Sequence, residues 1–422
     1  MKHLVIQGKK EKIPSHPHHK EYIYRSRMFF LANNLYTFFA VNGLKYYIRK
    51  VWLQHKYKIP VPYVLLIDPT TACNLKCIGC WAADYGRKSE ISYEKLDQIL
   101  TEAKKLGIDN ISFTGGEPLM RKNDLLKLFK KHRSFPYTIF TNATLIDEEF
   151  AAEIARLGNV TFLISVEGYR ENTDFRRGKG TFDKVMDSMD LLKKHGIAFG
   201  FSICYHSKNY EEVSSDGFLD FLRDKGAWFG WMINYMPIGK GADVSLCLNA
   251  EQRKFLKDRI DTYVEKHQFT IVDFSNNGHK AYGCVAAGDG FLHINAAGDV
   301  EPCAFFHYSD VNIHNVSLAE ALASPFLTHF REQKIISDNP HRPCPIMDVP
   351  DALLKITDLE GVCSTHLHCH ETPAELYAKT KPLADGWKPV ADKYYQDMSD
   401  KEKERFKMVA KYLLYRDSKN NI

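Results

Sequence analysis

The stretch "DPTTACNLKCIGCWAADYG", residues 68–86, sets three cysteines, Cys73, Cys77 and Cys80, directly behind the apolar run "VPYVLLI". An apolar run bounded by turn signals reads as a buried strand, so the cysteines fall on the loop at its carboxyl end. A structural thiolate site normally closes with four ligands, and no fourth cysteine stands nearby. What the open position is for decides the reading of the whole chain.

Outward from that loop, strands alternate with helices. "NISFTGG", "YTIFTNA", "VTFLISVEG", "IAFGFSIC" and "WFGWMINYMP" read as further strands. Between them Ser92 caps a helix with Leu96, Ile99, Leu100 and Ala103 on one face, stopped at Gly107, and helical patterns recur near 122–133, 147–157, 181–195 and 209–224. Such alternation implies parallel βαβ units, about six of them. The unusual residues gather at the carboxyl ends of these strands. They are the cysteines, "TGGEP" (Thr114 to Pro118), Thr141 and Asn142, Ser165 and Glu167, and "MPIGKG" (236–241). That rim is where parallel α/β folds bind ligands, and Ser165 and Glu167 point the same way because side chains alternate along a strand.

Three thiolates hold three irons of a [4Fe–4S] cluster and leave the fourth iron without a protein ligand. The Cys-x3-Cys-x2-Cys spacing, followed one βα unit later by Gly-Gly-Glu-Pro, resembles the radical S-adenosylmethionine superfamily. The resemblance implies a partial (β/α)6 TIM-like barrel over about 61–240, with S-adenosylmethionine chelated at the open iron. Reductive cleavage would then give a 5′-deoxyadenosyl radical that takes hydrogen from substrate. It also implies that Gly115, Gly116 and Glu117 anchor the methionyl amino group, and that Ser165 and Arg177 hold the carboxylate. Asn142 and Glu167 would contact ribose, and the backbone of Met236, Pro237 and Ile238 would contact adenine. Glu167 stands where the family's "S-x-D-G" pattern has Asp. Gly79 stands where an aromatic residue usually meets adenine, with Trp81 just beyond. A structural zinc site at the triad would need a fourth ligand and would leave Gly-Gly-Glu-Pro unexplained.

A second cysteine group follows, with Cys284, Gly298 and Cys303 in "YGCVAAGDGFLHINAAGDVEPCAFF" and then Cys344, Cys363 and Cys369. Cys-x13-Gly-x4-Cys resembles the opening of SPASM or twitch extensions, which carry auxiliary iron–sulfur clusters. The later SPASM pattern, Cys-x2-Cys-x5-Cys-x3-Cys, is absent. The expected ligands are Cys284, Cys303 and Cys344, with Cys363 or Cys369 as the fourth. "FLHINAAGDVEPC" reads as a β-hairpin. In "CSTHLHCH", His366, His368 and His370 offer a zinc or mixed site as the alternative. Cys204 and Cys247 read as structural, with a hydrogen-donor role for Cys204 as the minority reading.

The bulk properties are those of a globular protein. The 422 residues are 44% hydrophobic and 26% charged, and a net charge of +5 is too small to argue for nucleic acid. The start lacks an apolar segment of secretory length, and clustered cysteines without disulfides fit a reducing compartment, so a cytoplasmic protein is expected. The domain reading is an aromatic and basic helical segment at 1–60, the barrel at 61–240, a cysteine-rich α+β auxiliary-cluster domain at 241–375, and a helical segment at 376–422. Residues 22–58 interleave aromatics with Arg and Lys, as either a peripheral membrane contact or a cover for the open barrel. Ser399 and Glu402 form a capping-box pattern ahead of Phe406, Val409, Ala410 and Leu413. The resemblance implies a small reductase, flavodoxin or ferredoxin as electron donor. Peptide and lipid or isoprenoid substrates stay open, beside a non-enzymatic iron–sulfur carrier.

Overall fold

The computed structural model describes residues 59–413 apart from 86–88, 240–241, 334–338 and 367–369, together with residue 52 and residues 54–56. The expectation for 22–58 therefore lies almost wholly outside the described residues, as does the fourth-ligand alternative Cys369.

Strand β1 (Val64–Ile67) is apolar throughout because both faces are covered. It is followed by β2 (Asn110–Phe113), β3 (Tyr137–Thr141), β4 (Val160–Ser165), β5 (Phe199–Tyr205), β6 (Gly230–Asn234), β7 (Ile271–Asp273), β8 (Phe291–Ile294) and β9 (Val300–Glu301). These nine form one sheet in the order β7-β6-β5-β4-β3-β2-β1-β8-β9, parallel from β1 to β8 with β9 antiparallel at the edge. The small pair β10 (Tyr308–Ser309) and β11 (Cys363–Ser364) stands apart.

The core helices begin and end where their caps dictate. In α1 (Tyr93–Leu106) the Ser92 side chain accepts from Lys95 N, and Gly107 closes the helix in the left-handed region at φ 77°. Leu96, Ile99, Leu100 and Ala103 are its buried face, as the spacing requires. Helices α2 (Lys122–Lys131), α3 (Glu148–Leu157), α4 (Arg170–Arg177) and α5 (Thr181–Lys194) follow. The expected 209–224 helix is instead two, α6 (Tyr210–Val213) and α7 (Asp216–Lys225). Ser215 accepts from Phe218 N and starts a new helix there.

Two further strands extend the six expected ones. β7 has only three residues, too few for a periodic signal. β8 is the first arm of the expected hairpin, pairing His293 with Glu301, while its other edge pairs Leu66 with His293 on β1. The segment 241–375 thus does not stand apart from the barrel, since it supplies both ends of the parallel sheet. Its helices are α8 (Ala250–His267), α9 (Gly278–Ala281), α10 (Leu318–Leu322), α11 (Pro325–Gln333) and α12 (Asp351–Thr357). The C-terminal helices α13 (Pro373–Asp397) and α14 (Asp400–Leu413) both start in capping boxes, Thr372 with Glu375 and Ser399 with Glu402. Phe406 is buried, while the side chains of Val409, Ala410 and Leu413 lie outside the described residues. Among the described residues no helix is long and apolar enough to cross a membrane.

Candidate active site

The cysteine loop is pinned by backbone from the neighbouring strand end. Gly116 N donates to Thr70 O at 3.0 Å and Glu117 N to Ala72 O at 2.8 Å. That approach explains both glycines. A Cβ on Gly115, which holds φ +105°, would stand 2.7 Å from Thr70 O, and one on Gly116 would stand 2.3 Å from Ala72 O. Glu117 is buried and its carboxylate accepts from Thr141 Oγ1 (2.7 Å), Asn142 N (2.8 Å) and Leu119 N (3.0 Å). Burial pushes this carboxyl up from its ordinary value, against those hydrogen bonds. Asn142 in turn gives Nδ2 to Asn74 Oδ1 at 2.9 Å, inside the cysteine loop. The ends of β2 and β3 therefore hold Cys73 in place, and the Glu117 side chain works within the protein.

The three sulfurs sit within each other's electrostatic reach. Burial pushes the Cys73 thiol up to about 11, with Glu117, Cys77 and Cys80 adding to the rise. Burial likewise raises Cys80. Thiols so placed keep their protons until a cation arrives to favour the thiolate. An all-sulfur set with no hard oxygen ligand fits a soft iron–sulfur group, and three sulfurs leave one iron open.

Glu167 and Arg177 meet each other at the carboxyl end of β4. Glu167 is fully buried, and its Oε1 receives Arg176 Nη1 (2.7 Å) and Arg177 Nε (2.7 Å), while Oε2 receives Cys204 N (3.1 Å). One added methylene relative to Asp carries the carboxylate to both arginines of α4. Arg176, which sequence reasoning passed over, also reaches Gly79 O at 3.5 Å. The pair Arg-Arg in "DFRRG" was its only signal. Ser165 ends β4 half-buried, opposite Ser202.

Gly79 is explained by a residue of β6's carboxyl end. A Cβ at Gly79 would fall 2.4 Å from Tyr235 Cε2, so the Tyr235 ring occupies the space beside the cysteine loop. Trp81 turns the other way, with its ring centre 5.6 Å from Phe305 and 6.0 Å from His293. Pro237 and Ile238 are buried, and their loop is clamped from α13's side. Gly239 N donates to Glu371 Oε2 at 2.8 Å, and Lys379 Nζ bonds Glu371 Oε1 (2.5 Å), Pro237 O (3.3 Å) and Gly239 O.

In the second group, Cys284, Cys303 and Cys344 lie within electrostatic reach of one another, while among the described residues no three Cys, His, Asp or Glu side chains are gathered as a metal shell. Burial pushes Cys303 well up, with Cys284 and Cys344 contributing, and raises Cys344 to about 12, with Asp348 and Cys284 contributing. Cys363 does not join them. It lies exposed on β11, paired with buried Ser309 of β10. Cys247 is buried against Tyr235 and Leu246, with Cys204 beside them, as structural thiols are. His366 faces His307, each with a ring nitrogen toward the other.

Comparison with known proteins agrees with this geometry. Residues 67–216 match the model of the radical SAM superfamily. The Fe-coproporphyrin III synthase of Methanosarcina barkeri is 33% identical over 155 residues, 36% of this chain and 39% of that protein. The mycofactocin maturase MftC of Mycolicibacterium smegmatis is 28% identical over 260 residues, 58% of this chain and 65% of that protein. The chain therefore spans less than two thirds of the length of each. The crystal structure of Streptococcus suis SuiB bound to precursor peptide SuiA superposes with a TM-score of 0.56 at 21% identity, over 68% of this chain and 70% of that one, which is a likeness of fold.

Proposed function

Because residues 67–216 match the radical SAM superfamily, we propose that the chain is an enzyme of that superfamily that binds a [4Fe–4S] cluster and S-adenosylmethionine and takes a hydrogen atom from a peptide. The observation that carries this reading is the placement of Cys73, Cys77 and Cys80 on one loop at the carboxyl rim of a parallel sheet, within electrostatic reach of one another and locked by Gly115–Glu117. When bound, the cluster supplies the electron that cleaves S-adenosylmethionine to methionine and a 5′-deoxyadenosyl radical.

The chain's own residues bind and orient. The three cysteines hold the cluster, and the backbone of Gly115 and Gly116 borders the methionyl end. Ser165 and Asn142 offer polar contacts at the ends of β4 and β3, and Pro237 and Ile238 present backbone to the adenine. Arg177, with Arg176, is fixed by Glu167, which makes Glu167 a positioning residue more than a ribose contact. Tyr235 over Gly79 and Trp81 against Phe305 cover the loop and exclude water. Cys284, Cys303 and Cys344 hold an auxiliary iron–sulfur group, and a flavodoxin- or ferredoxin-type protein supplies electrons.

The peptide substrate rests on relatives whose names describe maturation or bacteriocin biosynthesis: the mycofactocin maturase MftC, the sporulation killing factor maturation protein SkfB and the antilisterial bacteriocin subtilosin biosynthesis protein AlbA. The lipid reading rests on residues 22–58 and gains no support from the described residues. The test is release of 5′-deoxyadenosine by anaerobically reconstituted full-length protein given S-adenosylmethionine and a strong reductant, with Cys77→Ala as control. Equal release by both proteins overturns the assignment. Deuterium carried from a labelled candidate peptide into 5′-deoxyadenosine identifies the substrate class.

A further inference from the structure

Side chains two residues apart on a strand share a face, so the rim residues mark the inner face of the whole sheet. Tyr235, beside the cysteine loop, puts Ile233 and Trp231 on its own side of β6, as Asn142 does Phe140 on β3 and Cys204 does Ser202 on β5. Along β3, β6 and β7 these inner positions are half-buried, while the residues between them are buried against the helices. Four aromatic rings meet on the inner face. The Trp231 ring centre lies 5.5 Å from that of Phe140 at 90° and 4.8 Å from that of Phe274, just past β7, at 50°. Phe274 in turn lies 6.4 Å from Phe291 of β8. Phe140 and Trp231 stand three strands apart, about 14 Å on a flat sheet at about 4.8 Å per strand. Their contact therefore comes from the curl of the sheet and crosses its concave side.

The rings adjoin the rim and are open to contact. Ser165 pairs with Ser202 and Ser202 with Trp231, so the indole is in register with a strand end proposed to meet S-adenosylmethionine. Phe274 is 37% exposed, and Phe140, Trp231 and Phe291 are half-buried. On β3–β7 every inner-face position below the rim is uncharged. A charged side chain placed there would lose its water and gain no ionic partner. A neutral ring would bury a large apolar area and meet aromatic edges and faces. The hydroxyls of Ser202, beside Trp231, and of the paired Thr138 and Thr161, next to Phe140, interrupt the apolar face. It offers no unbroken track for an extended acyl chain.

We infer that Trp231 and Phe274, flanked by Phe140 and Phe291, form a slot for a neutral aromatic side chain of the peptide substrate. The slot selects which residue of the peptide is presented to the rim. It sets specificity and has no part in cleaving S-adenosylmethionine. This rests on the peptide reading given above.

The test uses full-length, anaerobically reconstituted protein and the fluorescein-labelled peptide Ser-Gly-Ala-Trp-Ala-Gly-Ser, with counterparts carrying Leu or Lys in place of Trp. Binding is read by fluorescence anisotropy. The parent is expected to bind the Trp peptide most tightly and the Lys peptide least. Phe274→Ala is expected to weaken the Trp peptide about tenfold and to leave the Lys peptide unchanged. Trp231→Ala acts the same way, which covers a Phe274 variant that fails to fold. Phe274→Tyr keeps the ring and the parent order of the three peptides, which a loss of general stability does not predict. Phe255→Ala removes a comparably exposed ring, 42% exposed on α8, and is expected to change nothing. An equal loss in Phe255→Ala, or a parent without preference for the Trp peptide, overturns the slot. Decanol that displaces the Trp peptide and binds more tightly gives the face to a lipid chain and also overturns it. Release of 5′-deoxyadenosine is measured in parallel. A parent that releases none overturns the functional reading, whereas release without a peptide preference overturns the slot alone.

Discussion

Gly116 runs against Ala72 so closely that a Cβ built on it would stand 2.3 Å from the Ala72 carbonyl oxygen and 2.5 Å from that of Thr71. Both neighbours are backbone, so they yield only if the segment leading to Cys73 moves. The glycine is demanded by the approach of two chains, since its own φ lies outside the left-handed region.

Gly116→Ala is therefore expected to cost about 1–3 kcal/mol by overpacking, taken from the cysteine loop rather than from the distant core. Iron bound after reconstitution should fall by more than half, while the helical circular dichroism signal persists. Full iron content in this variant would contradict the placement of the loop.

Glu167→Gln leaves the buried Arg176 and Arg177 side chains facing a neutral amide. Removing one partner of a buried ion pair costs about 3–5 kcal/mol, because the remaining charge stays desolvated. The urea midpoint of the full-length protein should drop accordingly, and more than for a Gln at exposed Glu148, whose partners Lys194 and His195 remain in water. Equal midpoints for the two variants would show that α4 is not anchored through Glu167.

These cases show how far residues alone carry the reading. The strand-end position of the Cys-x3-Cys-x2-Cys loop was legible because an apolar run followed by turn residues is a local signal, whereas the close backbone approach that Gly115 and Gly116 permit was not, since it depends on a partner segment more than forty positions away. The pairing of Glu167 with Arg176 and Arg177 was not legible either, since a sequence marks which residues stand at a rim but not which of them pair. β8 was read as a hairpin arm, and it is one. Its parallel pairing with β1 uses its second edge, which no periodicity reports. Cys363 was chosen for its residue type, and only the folded chain shows it exposed on β11.

His279 and His341 stack with ring centres 4.8 Å apart in the C-terminal half. Burial holds His279 down to about 4 and His341 down to about 3, with nearby lysines and the partner ring helping. Both are neutral in the native protein. Below the ordinary histidine value of about 6.5 the unfolded chain binds the extra protons, so stability is present above that pH and is lost as pH falls toward 4. Each group contributes a slope of up to about 1.4 kcal/mol per pH unit. Urea midpoints measured at about pH 7 and about pH 5 should differ more in the parent than in the double variant His279→Phe, His341→Phe. Parallel pH curves would remove these histidines as the cause of acid sensitivity.

The clamp on the loop after β6 gives the last prediction. Glu371 is buried and takes Gly239 N at 2.8 Å, while Lys379 ties the same carboxylate to the carbonyls of Pro237 and Gly239. Pro237 is part of the backbone proposed to meet adenine and Gly239 ends the same loop, so on that proposal the segment leading into α13 steadies the nucleoside side of the site. Lys379→Met removes three bonds at once and leaves the carboxylate buried without its cation, which favours a loosened loop. S-adenosylmethionine should then bind about tenfold more weakly, a loss of about 1.4 kcal/mol. Glu371→Gln keeps an acceptor for Gly239 N and should weaken binding less. Iron content should stay at the parent level in both variants, because the cysteine loop is pinned by Gly116 and Glu117 instead. Equilibrium dialysis of the reconstituted proteins separates these outcomes. Parent-like affinity in Lys379→Met would place the adenine elsewhere on the rim.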